Sequence, residues 1–222
     1  MKTFFCLLIS ALVMNSGYAI DMSIGGFGYR LPVSSVKERK LQTTLIQQYD
    51  FSCGSAALAT LLTYHYDFPV TEQSVFEEMF AVGDQAKIKQ QGFSLLDMKN
   101  YLGRHGYVAD GFNEPISKLV EAKLPAIVLV TENGYNHFVV VKGKREDRIL
   151  IGDPATGNKV IALKKFEEMW QTKLLFVIHN KMELAHFDMS KDWTTTPLAP
   201  IGRSDGRELE LSTLPKMGSG DF

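Results

Sequence analysis

The spacing of apolar positions changes near the middle of this 222-residue chain. In the first half they recur at helical intervals. Ala56, Ala57, Leu58, Leu61 and Leu62 form an apolar face that predicts a helix from about Cys53 to His65. Thr71 to Phe80 reads as a second helix. Ser94-Leu95-Leu96-Asp97 reads as an N-cap with an acid three residues on, opening a third helix to about His105. Pro115 opens a short fourth. From residue 125 the spacing belongs to strands. "PAIVLVT" (125–131) is a continuous β-branched and apolar run, suited to a strand buried on both faces. "ENGYN" reads as a turn and "HFVVVKG" (137–143) as the returning strand. "DRILIG" (147–152) predicts a third strand, followed by the turn "DPATGN", a short strand near 159–163, a helix near 164–170 and the strand "LLFVIH" (174–179). Helices first and an antiparallel sheet second is the α+β pattern.

The flanks carry less. Residues 20–40 read as extended, with Gly25, Gly26, Gly28 and Pro32, and end in the solvated charged run Lys37-Glu38-Arg39-Lys40. The domain itself is taken as 35–183, leaving 20–34 as an extended N-terminal segment. After about residue 183 large apolar residues thin out, and 184–222 reads as an irregular tail. The first residues follow a different logic. Lys2, the apolar run Phe4–Met14 and the small residues Gly17 and Ala19 match a signal peptide over 1–19, with cleavage after Ala19. The run is eleven residues, whereas a bilayer-spanning helix needs about 20. Cys6 lies too early in that run to accept a lipid, so no stable membrane anchor is expected.

Composition narrows the function classes. Hydrophobic content of 45% and charged content of 22% are ordinary for a globular protein. A formal net charge of -1 gives no reason to expect a nucleic-acid or anionic-membrane partner. No zinc-type Cys/His spacing and no phosphate-binding glycine loop occur, so neither a metal nor a cofactor is expected. Loss of the signal peptide would leave Cys53 as the one cysteine, which excludes an internal disulfide in an exported chain.

The chemistry therefore turns on Cys53. A helix start offers free backbone N–H groups and the positive end of the helix dipole, both of which favour a thiolate. Gly54 leaves space beside the sulfur for a substrate backbone. Free cysteine is also among the residues most often buried for packing, so the local sequence permits both roles. Three other residues point to chemistry. His137 stands at the start of a predicted strand, where it can project from a sheet edge toward a helix end. Asp153 follows "RILIG", and a hairpin of 137–143 with 148–152 would set it beside His137 to accept the Nδ1–H, although Asp-Pro is also a common turn opener. Gln47, six residues before Cys53, could donate to an oxyanion, with Gln48 an equally polar neighbour. His65, His105, His179 and His186 carry no such setting.

A Gln six residues before Cys-Gly, the helix "AALATLL", a His-Phe-Val-Val strand and then "GDPA" together resemble the C39 peptidases. These are papain-like cysteine peptidases known as leader-processing domains of bacteriocin exporters, and the likeness covers roughly residues 35–180. It implies a papain-like fold, with Cys53 as nucleophile, His137 as base, Asp153 as orienting acid and Gln47, rather than Gln48, as oxyanion donor. Exporter versions often carry an acid directly before the cysteine and are fused to membrane helices and an ATPase; here Ser52 precedes Cys53 and no such segments follow. The chain is more similar to stand-alone exported members, in particular those encoded with bacterial functional-amyloid secretion genes. The resemblance implies a periplasmic endopeptidase acting on an exported protein or leader peptide, with an amyloid-secretion component as a candidate substrate. A different class of reading is a catalytically silent papain-like module that binds a secretion substrate. A third keeps the nucleophile and changes the substrate to cell-wall peptides or an acyl acceptor.

Overall fold

The computed structural model describes residues 19–24, 27–32, 35–132 and 134–196. The expected signal segment up to residue 18 and the tail beyond residue 196 lie outside the described residues. Strands β1 (Ala19–Ile24) and β2 (Phe27–Pro32) pair as an antiparallel hairpin. Residues 36–40, expected as extended, instead form the short helix α1 (Val36–Lys40). A reciprocal capping pair explains it: the Glu38 N–H donates to Ser35 Oγ and the Ser35 N–H to the Glu38 carboxylate.

One layer is helical: α2 (Cys53–His65), α3 (Glu72–Val82), α4 (Gln85–Gln91) and α5 (Leu95–Arg104). Thr71 with Ser74 and Ser94 with Asp97 close reciprocal caps that start α3 and α5 where the sequence places them. Helix α4 has no counterpart in the sequence reading. It buries only Ile88, so it leaves no apolar period to detect.

Six strands form one antiparallel sheet in the order β3 (Ala109–Asn113), β8 (Leu174–Ile178), β4 (Ala126–Glu132), β5 (Tyr135–Arg145), β6 (Arg148–Asp153), β7 (Gly157–Ala162). One face packs Ile127, Phe138, Val140, Phe176 and Ile178 against α2, α3 and α5. The opposite face packs Val128, Val130, Val139, Val141, Ile149 and Ile151 with residues of α6 (Ile116–Ala122) and α7 (Leu163–Met169). Burial on both faces is why 126–130 and 138–141 read as unbroken apolar runs. Strand β3 is an edge strand with only Ala109 buried, and its sequence "ADGFN" shows no alternation to read.

Helix α2 is the centre of the fold, buried on every side from Cys53 to Leu62. Its far end meets the start of the expected tail. The His186 N–H donates to the His65 carbonyl, and α8 (Ser190–Thr195) closes over the sheet. Lys142, fully buried at a bulge of β5, donates to the Thr43 carbonyl and to Thr43 Oγ1 and Asn158 Oδ1, both at 2.9 Å. Asp192 of α8 lies 3.9 Å from it and accepts from Thr43 Oγ1 at 2.7 Å. A buried ion pair thus fastens residues 188–196 to the domain. Among the described residues no helix is long and apolar enough to cross a membrane.

Candidate active site

The segment before α2 is a tight loop. Ser52, the residue preceding the helix, does not cap it; its Oγ donates to the Tyr49 carbonyl and accepts from the Tyr49 N–H, both at 3.1 Å. The first-turn N–H groups are left without a side-chain cap beside Cys53. Cys53 is 7% exposed. Burial pushes it above its ordinary value, and this outweighs the backbone groups of Phe138, Gly54 and Cys53 that pull it down; the Asp153 charge adds to the upward push. The helix-start stabilisation of a thiolate is therefore present but outweighed, and the resting sulfur is a neutral thiol.

Gly54 serves packing. A Cβ there would stand 2.9 Å from both Met98 Cε and Phe93 Cβ, so the glycine lets α2 lie directly on α5 and the turn before it. The expectation of space for a substrate backbone is corrected: the missing side chain faces the core, not a cleft.

His137 and Asp153 are brought together by the sheet. The pairing of Val140 with Gly152 carries Asp153 at the end of β6 toward His137 near the start of β5. His137 lies at the end of an interior strand, between β4 and β6, rather than on a sheet edge, and is 6% exposed. Its Nε2 is 3.5 Å from Asp153 Oδ2. The nitrogen facing the acid is thus Nε2 and not the expected Nδ1, which leaves Nδ1 as the nitrogen free for another partner. Both ring nitrogens are buried without a hydrogen bond. Asp153 serves two ends at once. Its Oδ1 accepts the Ala155 N–H at 2.7 Å, which makes the Asp-Pro turn, while Oδ2 faces the histidine. Burial would raise this carboxyl, but His137, Lys159 and the Ala155 amide hold it well below the usual carboxylate range.

Gln47 is fixed at both backbone and side chain. Its N–H donates to the Pro154 carbonyl at 3.0 Å, joining the loop before Cys53 to the turn after Asp153. Its Nε2 donates to the Tyr49 carbonyl at 2.9 Å and more weakly to the Asp50 carbonyl at 3.4 Å. Gln48 is exposed.

Three further residues belong to this region and escaped the sequence reading. Tyr135 stacks on His137 with ring centres 5.9 Å apart and donates its hydroxyl to the Asp50 carbonyl at 2.8 Å, joining β5 to the Cys53 loop. Lys159 donates to Asp153 Oδ2 at 2.7 Å and lies 3.7 Å from Glu132. Lys159 was legible in principle: the "DPATGN" turn pairs Asp153 with Gly157 and Ile151 with Lys159, which sets Lys159 diagonal to Asp153. Glu132, His137 and Asp153 bring ligand-type atoms within 4.8 Å of one another. The ammonium of Lys159 already supplies the cation among these carboxylates, so the donor set fits an ion pair rather than a metal. An apolar groove of about 390 Å³ adjoins Phe138, lined by Leu95, Leu96, Ile127, Leu129 and Leu174. The other histidines are engaged elsewhere: His105 with Glu78, His179 with Asp110, His186 with Asp67, and His65 Nδ1 at 2.6 Å from the His186 carbonyl.

Comparison with known proteins agrees with this architecture. The model of the Peptidase C39 family matches residues 42–182. The chain is 42% identical over 154 residues to the "Probable functional amyloid protease FapD" of Pseudomonas aeruginosa, covering 69% of this chain and 68% of that one. It is 40% identical over 169 residues to the protein of the same name from Pseudomonas fluorescens, covering 74% of each. In structure it is similar to the peptidase domain of Streptococcus ComA, a bi-functional ABC transporter involved in a quorum-sensing pathway. That match has a TM-score of 0.50 and 22% identity, and covers 62% of this chain and 98% of that domain. Helices on a six-stranded antiparallel sheet are the papain-like arrangement of these cysteine peptidases. The chain belongs to the Peptidase C39 family and is a protease of the FapD-like kind.

Proposed function

We propose that this chain is a periplasmic cysteine endopeptidase that cuts an exported protein or leader peptide with Cys53, His137, Asp153 and Gln47. The observation that carries the reading is His137: a buried imidazole with Nε2 facing Asp153 and with neither nitrogen hydrogen-bonded, while the backbone of the next residue, Phe138, lies against the buried Cys53 thiol at a helix start. Asp153 would keep the proton on Nε2, leaving Nδ1 as base for Cys53. Because burial holds the resting thiol neutral, deprotonation accompanies attack. The sulfur bonds to the peptide carbonyl carbon while His137 takes the thiol proton. The oxyanion is held by the Cys53 N–H and the Gln47 Nε2, whose long bond to the Asp50 carbonyl is the one to exchange. The imidazolium then protonates the leaving amine, and a thioester remains. Water, deprotonated by His137, releases the acid and restores the thiol.

A periplasmic site of action is supported by the signal-type N-terminus. A role in a functional-amyloid system is supported by the relatives so named. The apolar groove beside Phe138 offers a surface for apolar substrate residues. A second reading, a silent module that docks a secretion substrate, draws on the same burial of the thiol. The test is incubation of the purified protein with the exported proteins encoded beside it, with product termini read by mass spectrometry. Discrete cleavage that Cys53→Ala abolishes supports the peptidase. Binding without cleavage, or cleavage by Cys53→Ala, overturns it.

A further inference from the structure

Asp153 Oδ2 is shared unequally. Lys159 Nζ holds it at 2.7 Å, while His137 Nε2 stands at 3.5 Å. Lys159 is in turn drawn toward Glu132, at 3.7 Å. The four residues come from four strands, β4, β5, β6 and β7. Asp153 and His137 are buried, whereas Lys159 and Glu132 reach solvent. We infer that Lys159 is a positioning residue for His137, acting through Asp153, and that Glu132 sets how much of the Lys159 charge Asp153 receives. This rests on the Cys53–His137–Asp153 reading.

The physical reason is the opposing demands on His137. It must accept the thiol proton and then release a proton to the leaving amine. An unshared buried carboxylate would hold that proton too firmly for the second step. With Lys159 on Oδ2, the carboxylate stays ionised and aligned, but its charge toward the imidazole is partly offset. The groups that face His137 are Asp153 on β6, Glu132 on β4, Lys159 on β7 through Asp153, and Tyr135 on its own strand, with Cys53 on α2 close enough for its thiolate charge to act on Tyr135. Cys53 and Tyr135 are pushed upward, first by burial, and carry no charge at neutral pH. Two carboxylates and one ammonium thus set the field in which the Cys53–His137 pair titrates.

Removing the ammonium or one carboxylate should move that titration in opposite directions. The experiment uses the full chain with Cys6→Ser, so that Cys53 is the only thiol, and follows the rate of iodoacetate inactivation against pH. Iodoacetate reports the pair as a bell, because its anion reacts best while one proton remains on the pair. Lys159→Met should shift the whole bell upward by about one pH unit, and Glu132→Gln should shift it downward. Lys159→Arg should restore the parent profile. Circular dichroism verifies folding, with Lys159→Gln as the replacement if the Met variant does not fold. A role confined to stability would lower the melting temperature and leave the bell in place. Superimposable bells for Lys159→Met and Glu132→Gln, or shifts of the same sign, overturn the inference and leave the triad standing. A parent chain without a bell overturns the triad, and the inference with it.

Discussion

His137 Nε2 stands 3.5 Å from Asp153 Oδ2, while the other oxygen of the same carboxylate holds the Ala155 N–H at 2.7 Å. The acid is therefore anchored by its turn independently of the histidine. Asp153→Asn should keep that turn while losing the charge that fixes the histidine tautomer. We expect turnover to fall by roughly 10²–10⁴-fold, together with a lower melting temperature from loss of the Lys159 ion pair. Steady-state kinetics and calorimetry on the same preparation check both halves.

Gln47 separates oxyanion stabilisation from nucleophile activation. Gln47→Ala should lower kcat by about 10²–10³-fold. Alkylation of Cys53 by iodoacetamide develops no oxyanion on a carbonyl, so its rate should stay close to the parent rate. Equal losses in both assays would instead assign Gln47 to holding the loop through its bonds to the Tyr49 and Asp50 carbonyls.

Gly54 carries a packing demand. Gly54→Ala drives a methyl to within 2.9 Å of Met98 and Phe93 and should cost about 1–3 kcal/mol, measured by denaturant unfolding. Met98→Ala in the same chain opens that contact and should return part of the loss.

His65 should give the fold a pH dependence of its own. Burial first, then the Lys142 charge, lower it from 6.5 to about 3 in the folded state. Below pH 6.5 the unfolded chain takes up a proton that the folded chain does not. Stability is therefore full above that pH and declines toward pH 3, by up to about 1.4 kcal/mol per pH unit. His65→Gln should flatten this slope between those limits in urea titrations at several pH values.

The sequence was most legible where one physical demand dominated. Continuous apolar runs announced the doubly covered strands, and Ser94 with Asp97 announced the start of α5. The places of Cys53 and His137 were legible because a helix start and a post-turn strand follow from local pattern. What escaped was tertiary. The nitrogen of His137 that faces Asp153 depends on ring orientation, which no spacing encodes. Gly54 looks like open space in the sequence because Met98 and Phe93, its neighbours, lie some forty residues on. Residues 188–196 read as part of the 184–222 tail because their anchors are polar and distant in sequence, above all the buried carboxylate of Asp192 meeting a lysine fifty residues earlier.

The most direct measurement of the central claim is the rate of Cys53 alkylation by iodoacetamide at neutral pH, read by intact-mass spectrometry, in a Cys6→Ser parent chain, where Cys53 is the one thiol, and in the same chain with His137→Ala. If His137 is the base for Cys53, the parent thiol reacts as a single site and the variant reacts at least about ten times more slowly, because burial alone holds the thiol protonated. Equal rates in the two chains would contradict the pairing on which the account rests.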